Sequence, residues 1–512
     1  MRRLRWMIAL SIVALFSNTA LAEKEFCPKV YHKGVIELDI NPAFLHMDQY
    51  DTENGGKTDG LTVSSFFNTT FSFNPWAGIY VPNFPPFAAD QVGLIMDIGD
   101  LEPALFDFAT DFEVLTDAYS PPWAPQTTWP NQAARIPDGV LDFEAVIVPQ
   151  GFHPIPTAGR LTFIRLDTLQ EYIVHEGTLN RDEDIGSPEN TPRFYHEAIF
   201  YDMDGDGDKD IVTARSGFKL LTDTQPPTVY PPFSELLYFK NPGADLDPGT
   251  AWEEVILYGG FMADPAFMGP DIHLAMYDFE GDNIPEIVAT HFFTGDDPLL
   301  PQPTKGKIAI YGAPLGRGWK DVNAYLPWAQ PRVNVINETQ GFPFAIEIVD
   351  LNGDGKVEVL ATNHQLNCMP FPGHPGQVYA LEQPASGDIF GEAWTVRVLL
   401  DGILPQPTPA GATGMRMAPG HAITFYPKEK HEKRNKRPWI LVSGDEAGKV
   451  WIMKPTGHDF DYKTAVIFDI NDYYGENTTQ SFTPEGTTIS TIGRPALRYE
   501  QADKKNCHNK GK

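Results

Sequence analysis

The sequence predicts an all-β fold in which one four-stranded unit repeats around a ring, and three observations predict it. An acidic nonapeptide, Asp202-Met203-Asp204-Gly205-Asp206-Gly207-Asp208-Lys209-Asp210, recurs in altered form at Asp278–Glu286 and Asp350–Glu358. Short apolar or β-branched runs follow each copy in the same order. No long stretch carries a helical period.

The elements follow from these loops. A lead-in strand precedes each one: Ala198–Tyr201, Leu274–Tyr277 and Ile346–Val349. A second, β-branched strand leaves it: Ile211–Ala214, Ile287–Thr290 and Val357–Thr362. After a Pro-rich excursion comes a third: Glu235–Phe239, Lys307–Tyr311 and Gln377–Leu381. A fourth opens on a tryptophan: Trp252–Leu257, Trp319–Tyr325 and Trp394–Leu399. Weaker copies extend the series. Asp51, Glu53, Gly55 and Asp59 keep the loop spacing, residues 142–148 match a second strand, and residues 421–454 keep the strands but carry a basic run in place of the loop. Arg494–Glu500 matches a lead-in strand. Loop starts then fall at 51, 134, 202, 278, 350, 427 and 500. A repeat of about 75 residues predicts a seven-bladed β-propeller of four-stranded antiparallel blades. Residues 23–512 form one domain, and the strand-like Lys33–Ile40 is expected to complete the last blade and close the ring.

Composition bounds the function. A net charge of −29 excludes a basic nucleic-acid footprint. Arg2, Arg3 and Arg5, the apolar run Trp6–Phe16 and the small-residue site Ala20-Leu21-Ala22 read as a signal peptide over residues 1–22. No later run reaches the ~18 apolar residues of a membrane span, so a secreted, extracellular protein is expected. Asn68, Asn337 and Asn477 head N-x-S/T glycosylation sequons. Of three cysteines, Cys27 and Cys507 flank the domain and are expected to bridge across the seam, leaving Cys368 over.

Alternating carboxylates repel one another unless a hard cation with oxygen ligands sits among them, and Ca²⁺ accepts six to eight such ligands. The expected calcium ligands are Asp202, Asp204, Asp206, Asp208 and Asp210; Asp278, Glu280, Asp282 and Glu286; and Asp350, Asn352, Asp354 and Glu358. The loops and flanking strands resemble FG-GAP or VCBS repeats, the propeller repeats of integrin α-subunits, most clearly over residues 195–455. The resemblance implies a seven-bladed ring with structural calcium. It extends to the propellers of fungal aldos-2-ulose dehydratase and of mushroom lectins, so it does not select one activity.

The polarity of a blade points to a second site. If the acidic loop joins the first two strands on one face, the start of the first strand and the end of the second lie on the other. Those places carry His46, His196 with Glu197, His273, His421 and Arg494, and His153, Arg215, His291 and His364. Long Pro- and aromatic-rich segments on that face would wall a pocket. His196, Glu197, His273, His421 and Arg215 are the expected catalytic set. His46, His153, His291, His364 and Arg494 complete a ligand pocket or a second metal site, for Zn²⁺ or another divalent ion. Two readings stay open. One is a lyase or isomerase acting on a sugar or small polyoxygenated molecule. The other is a non-catalytic lectin or adhesion module whose partner is a carbohydrate or an extracellular protein. A closed ring is expected to act as a monomer.

Overall fold

A computed structural model describes residues 6–10, 34–38, 42–52, 55–65, 71–74, 79–82, 91–96, 111, 113–117, 130–151, 159–176, 193–221, 228–259, 273–292, 306–324, 326–366, 375–405, 417–427, 437–469 and 492–493. The fold is a β-propeller of six blades. Their strands run as follows, in chain order from the axis outward. Blade 1 holds Pro42–Asp51, Lys57–Ser65, Gln91–Met96 and Glu113–Asp117, and blade 2 holds Ala134–Arg135, Ala145–Pro149, Leu161–Arg165 and Gln170–His175 in the same sequential pairing. Blade 3 holds Phe194–Tyr201, Asp210–Leu221, Thr228–Lys240 and Glu253–Gly259, and blade 4 holds Leu274–Tyr277, Glu286–His291, Lys307–Gly312 and Arg332–Asn337. Blade 5 holds Phe342–Val349, Glu358–Leu366, Gly376–Glu382 and Thr395–Ile403, and blade 6 holds Ala422–Phe425, Trp439–Ser443, Lys449–Pro455 and Tyr462–Asp469. Neighbouring strands within each blade are antiparallel.

The core lies between blades, where inward-alternating residues of adjacent sheets interdigitate. Val212, Leu236 and Tyr238 of blade 3 meet Ile287, Ala309 and Tyr311 of blade 4. Val288 and Ile310 of blade 4 meet Ile346, Val359 and Tyr379 of blade 5. Comparable clusters join blades 1 and 2, 2 and 3, and 5 and 6. Among the described residues no helix is long and apolar enough to cross a membrane.

Two expectations are corrected. The ring has six blades, not seven, because the extrapolated seventh unit has no counterpart. Ile492–Gly493 pairs in parallel with Leu45 and His46 at the inner edge of blade 1, and Arg494–Glu500 lies outside the described residues. Nor does the N-terminal segment close the ring. Gly34–Leu38 pairs with Trp6–Leu10 in a separate two-stranded ribbon. A third difference concerns blade 4. Trp319 does not open its outer strand but begins the 3-10 turn Trp319–Asp321 and donates its indole N–H to the Pro285 carbonyl at 2.8 Å. An insertion displaces the strand to Arg332–Asn337, whereas Trp252 and Trp394 do precede theirs. Cys27, Cys368, Cys507, Asn68 and Asn477 lie outside the described residues. Asn337 is nearly buried, with its amide nitrogen 3.4 Å from Thr339 Oγ1.

Candidate functional site

The acidic loops sit at the exposed ends of the first strands of blades 3, 4 and 5. In 202–210 the glycines at 205 and 207 have φ of +78° and +105°, the left-handed region that glycine enters without penalty. The turn folds around Asp202, whose carboxylate accepts the N–H groups of Gly205 at 2.7 Å and Gly207 at 3.1 Å. Asp210, buried at the start of the second strand, accepts from Met203 and Asn241, each at 2.9 Å. Burial pushes its pKa up to about 6. Carboxylate oxygens of Asp202, Asp204 and Asp210 lie within 4.8 Å of one another, the one such group of three or more acidic, imidazole or thiol ligands among the described residues. Three convergent carboxylates, with Lys240 3.7 Å from the Asp204 carboxylate, suit a hard divalent cation, so this loop fits Ca²⁺.

The other two loops share the frame but not the ligand cluster. Asp278 accepts from Gly281, Asp282 and Asn283, and Asp350 from Gly353 and Gly355. The ninth-position acids cap the turn, Glu286 accepting from Phe279 N–H at 2.9 Å and Glu358 from Leu351 N–H at 2.7 Å. Burial pushes Glu286 and Glu358 up to about 8.

At the other end of the first strands, side chains from the blades meet near the axis. His196 of blade 3 has its ring centroid 5.4 Å from that of His273 of blade 4, which lies 4.5 Å from His421 of blade 6. Phe344 of blade 5 sits among them, 6.1, 5.3 and 5.4 Å from the three imidazoles. His364 stacks on Phe344 at 3.8 Å. Gln132, just ahead of the first strand of blade 2, places its amide nitrogen 2.9 Å from Nδ1 and 2.5 Å from Nε2 of His273. Buried His46 of blade 1 is near enough to His196 to act on its charge. The Glu197 carboxylate accepts the Leu274 N–H at 2.7 Å and lies 3.2 Å from His273 Nδ1.

Local structure explains this aim. Strand register shifts between Tyr195 and Ala198, a bulge that lets adjacent His196 and Glu197 both point inward. Second-strand hydroxyls then pin the first strands: Thr213 donates to the Glu197 carbonyl at 2.6 Å, and Thr290 accepts the His273 N–H at 2.9 Å. Burial, followed by the charge of His273, holds His196 well below the ordinary histidine range. Burial pushes His364 down to about 3, and Asp445, 3.8 Å from its Nε2, stands beyond hydrogen-bonding distance. These two rings are therefore neutral bases at physiological pH. Glu197 holds His273 from the Nδ1 side, and the Gln132 amide nitrogen lies beside both of its ring nitrogens.

Other expected members lie elsewhere. Arg215 is buried within blade 3, where Nε donates to Glu235 at 2.6 Å and Nη1 and Nη2 grip both oxygens of Glu254 at 2.5 and 2.7 Å. Its charge is answered inside the sheet. His291 stacks parallel to Tyr311 and meets its hydroxyl at 2.9 Å. His153 and Arg494 lie outside the described residues. Gln132 and Phe344 were missed. Phe344 stands six residues before Asp350, as His196 stands six before Asp202, so counting back from the loops would have found it. Gln132 had no such ruler, because blade 2 lacks the loop.

No family model and no curated protein matches this chain. Among solved structures, it is similar to a protein of Bacteroides uniformis assigned as a 6-phosphogluconolactonase, at 11% identity over 86% of this chain and 91% of that chain, TM-score 0.38. It is also similar to an α-L-arabinofuranosidase of Clostridium thermocellum, at 10% identity over 70% of this chain and 95% of that one, TM-score 0.31. A puromycin-hydrolyzing peptidase of Mycobacterium tuberculosis matches at 10% identity over 84% of this chain and 54% of that one, TM-score 0.34. Likenesses this distant carry no argument about residues or activity.

Proposed function

We propose that this propeller performs general acid–base chemistry at its axial histidine cluster, as a lyase or isomerase acting on a small polyoxygenated molecule. The observation that carries the proposal is the Glu197–His273 pair. A carboxylate 3.2 Å from Nδ1 orients the imidazole, as in other sites where a base is held by a third group. His421 supplies a second imidazole 4.5 Å away, centroid to centroid. A base and an acid on one small volume suit proton removal beside a carbonyl and its return, or loss of a neighbouring hydroxyl as water. His196 and His364, held neutral by burial, accept hydrogen bonds from substrate hydroxyls, and the Gln132 amide donates one. The three imidazoles do not bring their ligand atoms within the spacing reached by Asp202, Asp204 and Asp210, so the chemistry proposed uses no metal at the axis. Calcium at 202–210 braces the rim of blade 3 and takes no part in the reaction.

The test is exchange of carbon-bound hydrogen, followed by NMR in deuterium oxide with a panel of hexoses, hexuloses and hexonic acids. The reading expects deuterium incorporation or loss of water with at least one member, abolished by His273→Gln at unchanged melting temperature. Saturable binding of a panel sugar with no exchange and no turnover supports the lectin reading instead.

A further inference from the structure

The three acidic loops share a frame, and one difference separates the loop of blade 4 from the others. At the start of its outermost strand stands Arg332, which pairs in register with Gly312. The matching pairs are Glu253 with Lys240 in blade 3 and Thr395 with Glu382 in blade 5. Only blade 4 therefore places a guanidinium here. It reaches back over the loop, where Nη1 and Nη2 donate to both carboxylate oxygens of Glu280 at 2.9 and 2.6 Å. Nη2 also lies 3.8 Å from Glu286 Oε1. Nε is spent on the Ala313 carbonyl at 2.8 Å, and the guanidinium lies 4.2 Å above the Phe390 ring. Gly312 makes the room, since a Cβ there would come 2.8 Å from Arg332 Nη2 and 2.6 Å from Phe390.

Glu280 occupies the third loop position, which Asp204 fills in blade 3 and Asn352 in blade 5. In blade 3 that residue lies 3.7 Å from Lys240, a contact it shares with Glu253. In blade 4 the third-position carboxylate is turned outward into a two-bond ion pair, and the loop gathers no three-carboxylate group.

We infer that the 278–286 loop takes no metal ion, because Arg332 is its cation: the guanidinium supplies the positive charge that calcium would bring to the matching loop of blade 3. A planar fork engaging a carboxylate through two parallel bonds holds that role without desolvating an ion. The acidic motif is thus split between a metal-braced turn and an arginine-latched one.

The test counts Ca²⁺ bound by the full chain, stripped with chelator and retitrated with the ion alone. Glu280→Gln is expected to leave the count unchanged, and Asp204→Asn to lower it by one. Arg332→Gln leaves Asp278, Glu280, Asp282 and Glu286 uncompensated and is expected to raise the count by one, with a melting temperature that becomes more calcium-dependent than that of the parent. A Glu280→Gln protein that binds one ion fewer overturns the inference. So does a folded Arg332→Gln protein with an unchanged count. If Asp204→Asn leaves the count unchanged, calcium at 202–210 fails, and the blade 4 variants still decide the inference by their own counts.

Discussion

Replacing His364 with phenylalanine should make the protein more resistant to acid, by an amount the structure fixes. The ring is buried against Phe344 and Phe292, and burial depresses its pKa to about 3, against about 6.5 in the unfolded chain. Above pH 6.5 the ring is neutral in both states and proton binding contributes nothing. As pH falls below 6.5 the unfolded chain takes up a proton that the native state refuses, so native stability drops until pH nears 3. At about 1.4 kcal/mol per pH unit, a fall from 6.5 to 5.0 costs about 2 kcal/mol. His364→Phe removes that cost, whatever its packing penalty at neutral pH. Urea unfolding of both proteins at pH 7.5 and 5.0 measures it. The variant should gain about 2 kcal/mol on its parent between the two pH values. Titrating groups that do not interact with His364 cancel in this difference. An equal difference in stability at both pH values would refute the burial argument for a neutral axial histidine.

Further expectations concern the scaffold. Arg215→Met should cost about 3–5 kcal/mol in urea unfolding, because it strands the buried carboxylate of Glu235 and the partly buried one of Glu254. Gly259→Ala should destabilise more than Gly207→Ala. Both glycines share a φ near +105°, worth about 1–3 kcal/mol of backbone strain, but a Cβ at 259 meets the Ser234 carbonyl oxygen at 2.1 Å while one at 207 meets nothing within 4 Å. Adding chelator should lower the melting temperature of the parent, and Asp204→Asn should shrink that shift in a calorimetric scan.

The sequence made blades 3 to 5 legible because their acidic loops mark each hairpin, and residues at fixed offsets then share a face. The same ruler misled where the loop is absent. Extending a regular step to residue 500 created a seventh blade, whereas the strand that pairs beside His46 is only Ile492–Gly493. Histidines at first-strand starts could be read as sharing one end of the ring, and His46, His196, His273 and His421 do so. Histidines at second-strand ends could not be resolved, because period-two alternation sends neighbouring residues to opposite faces. His364 reaches the axis and His291 packs on Tyr311. Arg215 looked like an anion anchor because its acidic partners come from strands 20 and 39 residues away. Gln132 and Phe344 carry no chemical signature of their own and gain a role only from where the ring puts them.

The account separates chemistry at one end of the first strands from bracing at the other. One side-by-side measurement tests that separation: the rate of deuterium incorporation into the responsive sugar, with the melting temperature, for His273→Gln and Asp204→Asn. The account predicts that His273→Gln loses exchange and keeps its melting temperature, while Asp204→Asn melts lower and, below its melting point, exchanges at close to the parent rate. Loss of exchange in folded Asp204→Asn with exchange retained in His273→Gln would contradict it.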